Sequence, residues 1–224
     1  MKPVEHLGSA RIPGTSDTLD LYLDRDDFVI KLQGRYELMN SRKHGSEDAL
    51  GQLPCRRLSN RADARVLIGG LGMGFTLAAA LKEVGASARV TVAELIPEVV
   101  AWNRGPLGEA SAYPLQDPRT RVYIGDVGEL LRASTRTFDV IALDVDNGPE
   151  GLTKRANDWL YSLDGIVAAR EALKPAGILA YWSATPDRAF GARLRRCGFQ
   201  VEEVRVHAHG KKGTRHTIWL AEIA

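Results

Sequence analysis

The chain has 224 residues, of which 44% are hydrophobic and 26% charged, which suits one domain of ordinary size with a buried core and a small appendage. Thirty basic and 28 acidic residues leave a net charge of +2, which argues against a general nucleic-acid binder. Two distant cysteines, Cys55 and Cys197, and the lack of an apolar leader or a membrane-length run predict a reduced, cytoplasmic protein with no membrane partner.

Residues 1–58 are predicted to form a small N-terminal β unit with one short helix. Alternating apolar side chains predict strands at 19–23, 28–33 and 36–39. The helix is expected over 46–53, with Ser46 as its N-terminal cap and Pro54 as its end.

Residues 59–224 are predicted to form the main domain, because strands and helices alternate from Arg65 onward. Strands are expected at 65–69, 88–94, 121–125, 138–144, 178–183, 199–207 and 214–222. Helices are expected at 74–85, 97–105, 127–133, 157–173 and 187–197. This order predicts an α/β fold: a doubly wound, mostly parallel sheet with an antiparallel terminal strand pair.

A glycine-rich turn follows the strand 65–69. It contains Gly69, Gly70, Gly72 and Gly74. Glycine suits such a turn because it accepts positive φ angles and lets a ligand approach the backbone. Glu94 ends the next strand, about 20 residues further on, where an α/β nucleotide site places its ribose carboxylate.

Polar residues also follow the later strands, where ligands of such sheets bind. Gly125 and Asp126 come after the third strand of the main domain, and Asp144 and Asp146 come after the fourth. Asp and Gly also favour turns, so each position alone has a purely structural explanation. The ordered set favours a nucleoside site.

This order of motifs resembles the class I S-adenosylmethionine-dependent transferases, and within them the spermidine synthase-like family. The resemblance spans residues 60–222, reaches weakly into the N-terminal strands and implies a Rossmann-like domain. It implies that the glycine turn lies under the methionine part of the cofactor and that Glu94 binds the ribose hydroxyls. It also implies that Asp126, followed by Val127, receives the adenine amino group.

Asp144 and Asp146 stand where that family keeps its amine-binding or proton-accepting aspartate. A carboxylate there can hold a protonated amine and accept its proton, so Asp144 is the first catalytic candidate and Asp146 the second. Asp144 also counts among the cofactor-binding candidates. A turn-capping role is the alternative for both residues.

Two departures from the aminopropyltransferase pattern concern the donor. That pattern places an Asp or Glu in the glycine loop to grip the amine of decarboxylated S-adenosylmethionine, whereas this chain has Gly72. The aspartate motif is also shorter, over 144–149. Without the loop carboxylate an ion pair to the aminopropyl ammonium is lost, and so is the repulsion of an intact methionine carboxylate. The sequence therefore favours methyl transfer from S-adenosyl-L-methionine to a small amine-bearing acceptor.

Four further residues are candidates for binding the acceptor. His44 and Glu47 stand where related chains place substrate-facing residues, although a solvated helix start explains them as well. Tyr161 and Trp182 are candidates for an aromatic wall around a cation, and core packing is the alternative for both.

Three other functions stay open. The first is aminopropyl transfer from decarboxylated S-adenosylmethionine to a polyamine, and the second is nucleoside binding without catalysis. The third is RNA methylation through the basic segment 207–216, against which the near-neutral charge argues. No metal site is predicted, because His207 and His209 have no Cys, Asp or Glu beside them. The resemblance allows a homodimer, since related synthases commonly dimerise.

Overall fold

The computed structural model describes residues 3–60, 62–144, 158–209 and 212–223. Their strands are β1 Glu5–Arg11, β2 Thr18–Asp24, β3 Asp27–Leu32, β4 Tyr36–Asn40, β5 Arg65–Gly69, β6 Arg89–Glu94, β7 Thr120–Ile124, β8 Phe138–Leu143, β9 Leu173–Ser183, β10 Phe199–His209 and β11 Lys212–Ile223. Their α-helices are α1 Gly45–Arg56, α2 Phe75–Glu83, α3 Pro97–Arg104, α4 Val127–Arg132, α5 Leu163–Ala172 and α6 Arg188–Arg196.

The larger sheet has seven strands in the order β10-β11-β9-β8-β5-β6-β7. Neighbours from β9 to β7 are parallel, whereas β11 is antiparallel to β9 and to β10. Within this sheet the polypeptide enters near the centre at β5, continues to one edge through β6 and β7, and then returns to the other side of β5 at β8. The strand order therefore reverses between β5 and β8, where such sheets open a ligand crevice. This arrangement confirms the predicted doubly wound α/β sheet with an antiparallel terminal pair.

The larger sheet is covered on both faces, which explains its nearly continuous apolar strands. Along β5, Val66 and Ile68 belong to one buried cluster and Leu67 belongs to another. The first cluster includes side chains of α1, α2 and α3, and the second includes side chains of α4, α5 and α6. Each strand thus alternates its side chains between two helix layers.

The smaller sheet is antiparallel, in the order β1-β2-β3-β4. Leu21 and Ile30 from its central strands belong to the same buried cluster as Val66 and Ile68. The small sheet therefore packs onto one helix layer of the larger sheet. Strand β1 was not predicted, because the sequence around Gly8 has no clear alternation and the pairing with β2 shifts register there. Pairing and packing, rather than local sequence, hold this strand in place.

Helix α1 differs from its prediction at both ends. It begins at Gly45, its first turn has no side-chain cap, and Pro54 lies inside its last turn. The helix continues past Pro54 because it packs against α2 and the larger sheet, burying Leu50 and Cys55 completely. The boundary at residue 58 stays a prediction, since β1–β4 form their own sheet while α1 covers the larger one.

The helix expected over 157–173 is also shorter than predicted. Asp158 lies at the start of the described segment, a 3-10 turn follows over Trp159–Tyr161, and α5 begins at Leu163. The hydroxyl of Ser162 accepts the backbone N–H of Gly165 at 3.2 Å and so caps the helix. The Ser162 cap places the start of α5 six residues beyond the predicted start at residue 157, which lies outside the described residues.

Two general features of the described part of the chain concern membranes and metals. No helix within it has the length and apolar character needed to cross a bilayer. In the same segments, no three His, Cys, Asp or Glu side chains are grouped so that they could hold a metal ion.

Candidate active site

The glycine turn starts where β5 ends and leads directly into α2. Gly70, Gly72 and Gly74 have φ angles of +92°, +52° and +83°, a region that other residues rarely adopt. A Cβ atom at Gly70 would also lie 2.3 Å from the carbonyl oxygen of Asp144. The turn therefore requires glycine, and it brings bare backbone to the carboxyl edge of the sheet.

Glu94, the last residue of β6, lies buried beneath this turn, with 8% of its surface exposed. One carboxylate oxygen accepts the backbone N–H of Leu71 at 2.9 Å, and the other accepts that of Ile96 at 2.9 Å. Burial raises the pKa of Glu94, and these backbone hydrogen bonds oppose that rise. The backbone N–H groups around the turn thus fix the carboxylate in place at the end of β6.

Asp126 follows β7 and is the N-terminal cap of α4. Its Oδ1 accepts the backbone N–H of Gly128 at 2.8 Å, and its Oδ2 lies 4.0 Å from Arg132 Nη2. Val127 is buried against the end of β5, because a Cβ atom at Gly69 would lie 3.0 Å from its side chain. Asp126 therefore has a structural capping role and a half-exposed second oxygen at the same edge of the sheet.

Asp144 follows β8 and joins the turn through its backbone and its side chain. Its backbone N–H donates to the carbonyl of Gly69 at 2.7 Å. Its Oδ2 accepts the hydroxyl of Thr76 at 2.6 Å, and Thr76 is almost fully buried in α2. This contact holds the carboxylate directly beside the glycine turn. Asp146 lies outside the described residues.

The start of α1 packs against the start of α2. The imidazole of His44 stacks on Phe75, with ring centroids 4.1 Å apart. His44 Nδ1 lies 2.7 Å from Asp48 Oδ2, and this hydrogen bond raises the pKa of His44. Burial raises the pKa of Glu47, whose backbone carbonyl lies 3.2 Å from the Thr76 hydroxyl. His44 and Glu47 therefore lie next to the residues that hold Asp144, while His44 also stays partly exposed at the start of the helix.

Tyr161 and Trp182 share a cavity of about 320 Å³ beyond the end of β9. Its lining includes two carboxylates, three aromatic rings and one guanidinium: Asp158, Asp187, Tyr161, Trp182, Phe190 and Arg193. Tyr161 also packs into an aromatic cluster, with its ring 5.4 Å from Tyr181 and 5.3 Å from Phe190. Tyr161 thus packs in the core and lines the cavity at the same time.

Gly72, the position without a carboxylate, lies against the N-terminal sheet. A Cβ atom there would lie 3.1 Å from the sulfur of Met39 in β4. The carbonyl of Gly72 accepts the side-chain amide of Asn103 at 2.8 Å, and the same amide nitrogen donates to Val99. The turn is therefore hydrogen-bonded to α3 through Asn103 and packed against the thioether of Met39.

Three residues of this region were missed by sequence reasoning. Thr76 holds Asp144, Met39 covers Gly72, and His216 lies 2.8 Å from the hydroxyl of Ser46 through its Nδ1 atom. The position of Thr76, two residues beyond the glycine turn, was a usable signal. His216 lies in the segment 207–216, which was considered for RNA binding, and Met39 gave no signal, because sheet packing alone brings both residues to this region.

Solved structures show which known proteins share this fold. The spermidine synthase of Thermotoga maritima matches with a TM-score of 0.76 and 20% identity over 98% of this chain and 72% of that chain. A spermidine synthase in complex with the transition-state analogue AdoDATO matches with a TM-score of 0.74 and 21% identity over 98% and 72%. A probable spermidine synthase from Corynebacterium glutamicum ATCC 13032 matches with a TM-score of 0.66 and 15% identity, over 100% of this chain and 81% of that chain.

The sequence comparisons give the family. No curated protein sequence matches the chain. A family model described as the spermine/spermidine synthase domain matches residues 46–186, which is more than half of the chain and includes the glycine turn, Glu94, Asp126 and Asp144. This match confirms the resemblance inferred from the sequence, and the chain belongs to the spermine/spermidine synthase family.

Proposed function

We propose that the protein transfers an aminopropyl group from decarboxylated S-adenosylmethionine to an amine of the polyamine class. The observation that carries the proposal is the Asp144 carboxylate, which Thr76 holds beside the glycine turn in a chain of this family. An amine is protonated near neutral pH, and a carboxylate at this position can bind the cation next to the donor. Family membership supports this alternative better than the methyl transfer that the sequence favoured.

The groups around the turn suit the adenosine part of such a donor. Both oxygens of Glu94 are fixed by backbone N–H groups and can still accept ribose hydroxyls. Asp126 and Val127 would hold the adenine at the end of β7. The donor, when bound, supplies a sulfonium whose substituent carbon is electrophilic. The protein then has to align the amine with that carbon, and alignment alone contributes a large part of such catalysis.

The cavity beyond β9 suits the far end of a cationic acceptor. Asp158 provides negative charge, and Tyr161 and Trp182 provide aromatic faces, which attract ammonium groups. The opposite charges of Asp187 and Arg193 offset each other, because the guanidinium lies 3.6 Å from the Asp187 carboxylate and also donates to the carbonyl of Tyr161. We therefore assign the acceptor to this cavity.

A product assay with two donors tests the proposal. The protein is incubated with decarboxylated or intact S-adenosylmethionine and a set of diamines and polyamines. Aminopropyl transfer releases 5′-methylthioadenosine, whereas methyl transfer releases S-adenosylhomocysteine. We expect methylthioadenosine, and a loss of about 100-fold or more in kcat for Asp144→Asn, with the exposed Asp164→Asn as control. Donor binding without any product would instead indicate a nucleoside-binding protein.

Methyl transfer is the second candidate, and one observation favours it. Gly72 provides no carboxylate for the donor amine, and the sulfur of Met39 covers the place where one would begin. Release of S-adenosylhomocysteine alone would favour this candidate. The homodimer and the cytoplasmic location stay predictions.

A further inference from the structure

A chain of three polar side chains links the start of α1 to β11. The Ser46 hydroxyl lies 2.6 Å from Glu47 Oε2 and 2.8 Å from His216 Nδ1. Ser46 is completely buried, so water does not replace either contact. Glu47, Ser46 and His216 thus form a continuous hydrogen-bonded chain, which we call the Glu–Ser–His chain.

The Ser46 hydroxyl has one proton, so it can donate a hydrogen bond to only one of its two partners at a time. When Ser46 donates to an ionised Glu47, its oxygen can accept only from His216 Nδ1–H. When Ser46 donates to His216 Nδ1, its oxygen can accept only from a protonated Glu47. The two hydrogen-bond arrangements correspond to the proton lying at opposite ends of the chain.

The two ends of the chain lie at the two parts of the proposed site. The backbone carbonyl of Glu47 lies 3.2 Å from the Thr76 hydroxyl, which donates to Asp144. The ring of His216 packs edge-on against Trp182, with centroids 4.7 Å apart, and Trp182 lines the cavity beyond β9. Residue 47 is therefore adjacent to the Thr76–Asp144 pair through its backbone, and His216 is adjacent to a ring that lines the cavity.

We propose that Glu47 accepts the proton of the acceptor ammonium and that Ser46 and His216 pass it to solvent, a role that rests on the proposed amine transfer. The ammonium N–H bond breaks as a Glu47 O–H bond forms. His216 starts as the neutral tautomer with its proton on Nε2, so that Nδ1 can accept. Glu47 then donates this proton to Ser46, the original Ser46 proton moves to His216 Nδ1, and His216 Nε2 releases a proton to water. Proton exchange with water returns His216 to the Nε2–H tautomer before the next turnover. Glu47 ends ionised and His216 neutral, so one proton leaves for each amine alkylated.

The electrostatics of the two ends suit this transfer. Burial raises the pKa of Glu47 and lowers the pKa of His216, so the affinities of the two groups for a proton approach each other. On α1, His44 lowers and Asp48 raises the pKa of Glu47. Asp144, from the end of β8, is the charged group nearest the Thr76 hydroxyl. The barrier to moving a proton along the chain falls as the proton affinities of its two ends approach each other.

The kinetic test compares two acceptor amines in the enzyme variants Ser46→Ala and His216→Gln. One amine is protonated at the assay pH, and the other has a pKa below it and needs no base. With the protonated amine we expect kcat to fall about tenfold or more with little change in KM. With the neutral amine both variants should approach wild-type kcat. His207→Gln, on the same strand pair as His216, is the matched control.

Two kinetic outcomes would overturn the relay in different ways. Equal losses of kcat with both amines would show that Ser46 and His216 act only on the structure, while leaving the proposed function intact. Wild-type protein that turns over neither donor would overturn the proposed function and the relay together.

An NMR measurement tests the chain without turnover. Ring nitrogen shifts of histidine are followed over pH in the wild type, Glu47→Gln and Ser46→Ala. A coupled chain predicts that both variants change the Nδ1 shift and the titration midpoint of His216 and leave those of His207 unchanged. An unaltered His216 titration in Glu47→Gln would contradict the relay, and folding of each variant is checked by its thermal unfolding.

Discussion

At the scale of single residues, Gly72 is the position of the glycine turn that bears on the choice of donor under the proposed function. Its φ angle of +52° lies in the left-handed region, which Asp and Asn tolerate better than most residues. The Met39 sulfur would lie 3.1 Å from a Cβ atom there, so a longer side chain needs space as well as a permitted backbone. Gly72 and Met39 therefore act as a pair.

Adding the missing carboxylate should change donor preference. In Gly72→Asp combined with Met39→Ala, we expect the affinity for decarboxylated relative to intact S-adenosylmethionine to rise about tenfold or more, because the new charge attracts the free amine and repels the methionine carboxylate. Calorimetric titration of both donors measures the ratio. Gly72→Asn with Met39→Ala is the matched neutral control, and an equal rise in that variant would contradict the electrostatic cause.

At the scale of helices and strands, close contact between α1 and α2 positions the site. A Cβ atom at Gly51 would lie 2.3 Å from the carbonyl oxygen of Thr76 and 2.9 Å from the Cβ atom of Ala79. Because Thr76 holds Asp144, the same contact that joins the helices also sets the position of the candidate catalytic carboxylate.

Gly51→Ala should therefore destabilise the protein, although alanine favours helices. We expect a loss of about 1–3 kcal/mol in the free energy of unfolding from overpacking, larger than the gain of about 1 kcal/mol from helix propensity. Urea denaturation measures it, with Gln52→Ala on the same helix as control. A stabilised Gly51→Ala variant would show that the helices can separate without cost.

The start of α1 should also respond to pH. The hydrogen bond to Asp48 raises the pKa of His44, so the folded state favours the protonated imidazole. The resulting stability is fully present below the unfolded value of about 6.5 and is lost as pH rises through the higher folded pKa. Both side chains are about one-third exposed, so we expect less than about 1 kcal/mol.

This direction is checked by unfolding free energies measured from about pH 5.5 to about pH 8.5, a range that brackets the ordinary histidine pKa. Wild-type protein should lose stability with rising pH relative to Asp48→Asn, in which the partner charge is absent. A difference that grows with pH instead would show that His44 is neutral in the folded state.

At the scale of the whole molecule, the small sheet contacts both α3 and the glycine turn. Its strand β1 lies against Trp102 of α3, because a Cβ atom at Gly8 would lie 2.9 Å from the indole nitrogen. The next residue, Asn103, donates to the carbonyl of Gly72, which Met39 of the same sheet covers. Displacing the small sheet should therefore disturb the turn from two sides.

Gly8→Val tests this link. We expect about 1–3 kcal/mol of destabilisation from the clash with Trp102, together with weaker binding of either donor. Urea denaturation and calorimetry measure the two effects, and Ser9→Val at the adjacent exposed position is the control. Destabilisation without any change in donor affinity would separate the small sheet from the function of the turn.

Local sequence determined much of the larger sheet and its ligand edge. Strand β5 ends at Gly69, as predicted, and α3 spans Pro97–Arg104, because apolar periodicity, glycine and proline act within a few residues. The spacing from the glycine turn to Glu94 also has a local origin, since one helix and one strand separate them. The family could therefore be recognised before the site was seen.

Only the tertiary structure decided what surrounds those motifs. Strand β1, the extension of α1 past Pro54, and the contacts of Met39, Thr76 and His216 all depend on segments that are distant in sequence. Periodicity reports which side of an element is buried, but not which other element buries it. The sequence by itself thus determined the α/β fold and the order of motifs along the carboxyl edge of its sheet, whereas packing between the two sheets and α1 determined the surroundings of Gly72 and the Glu–Ser–His chain.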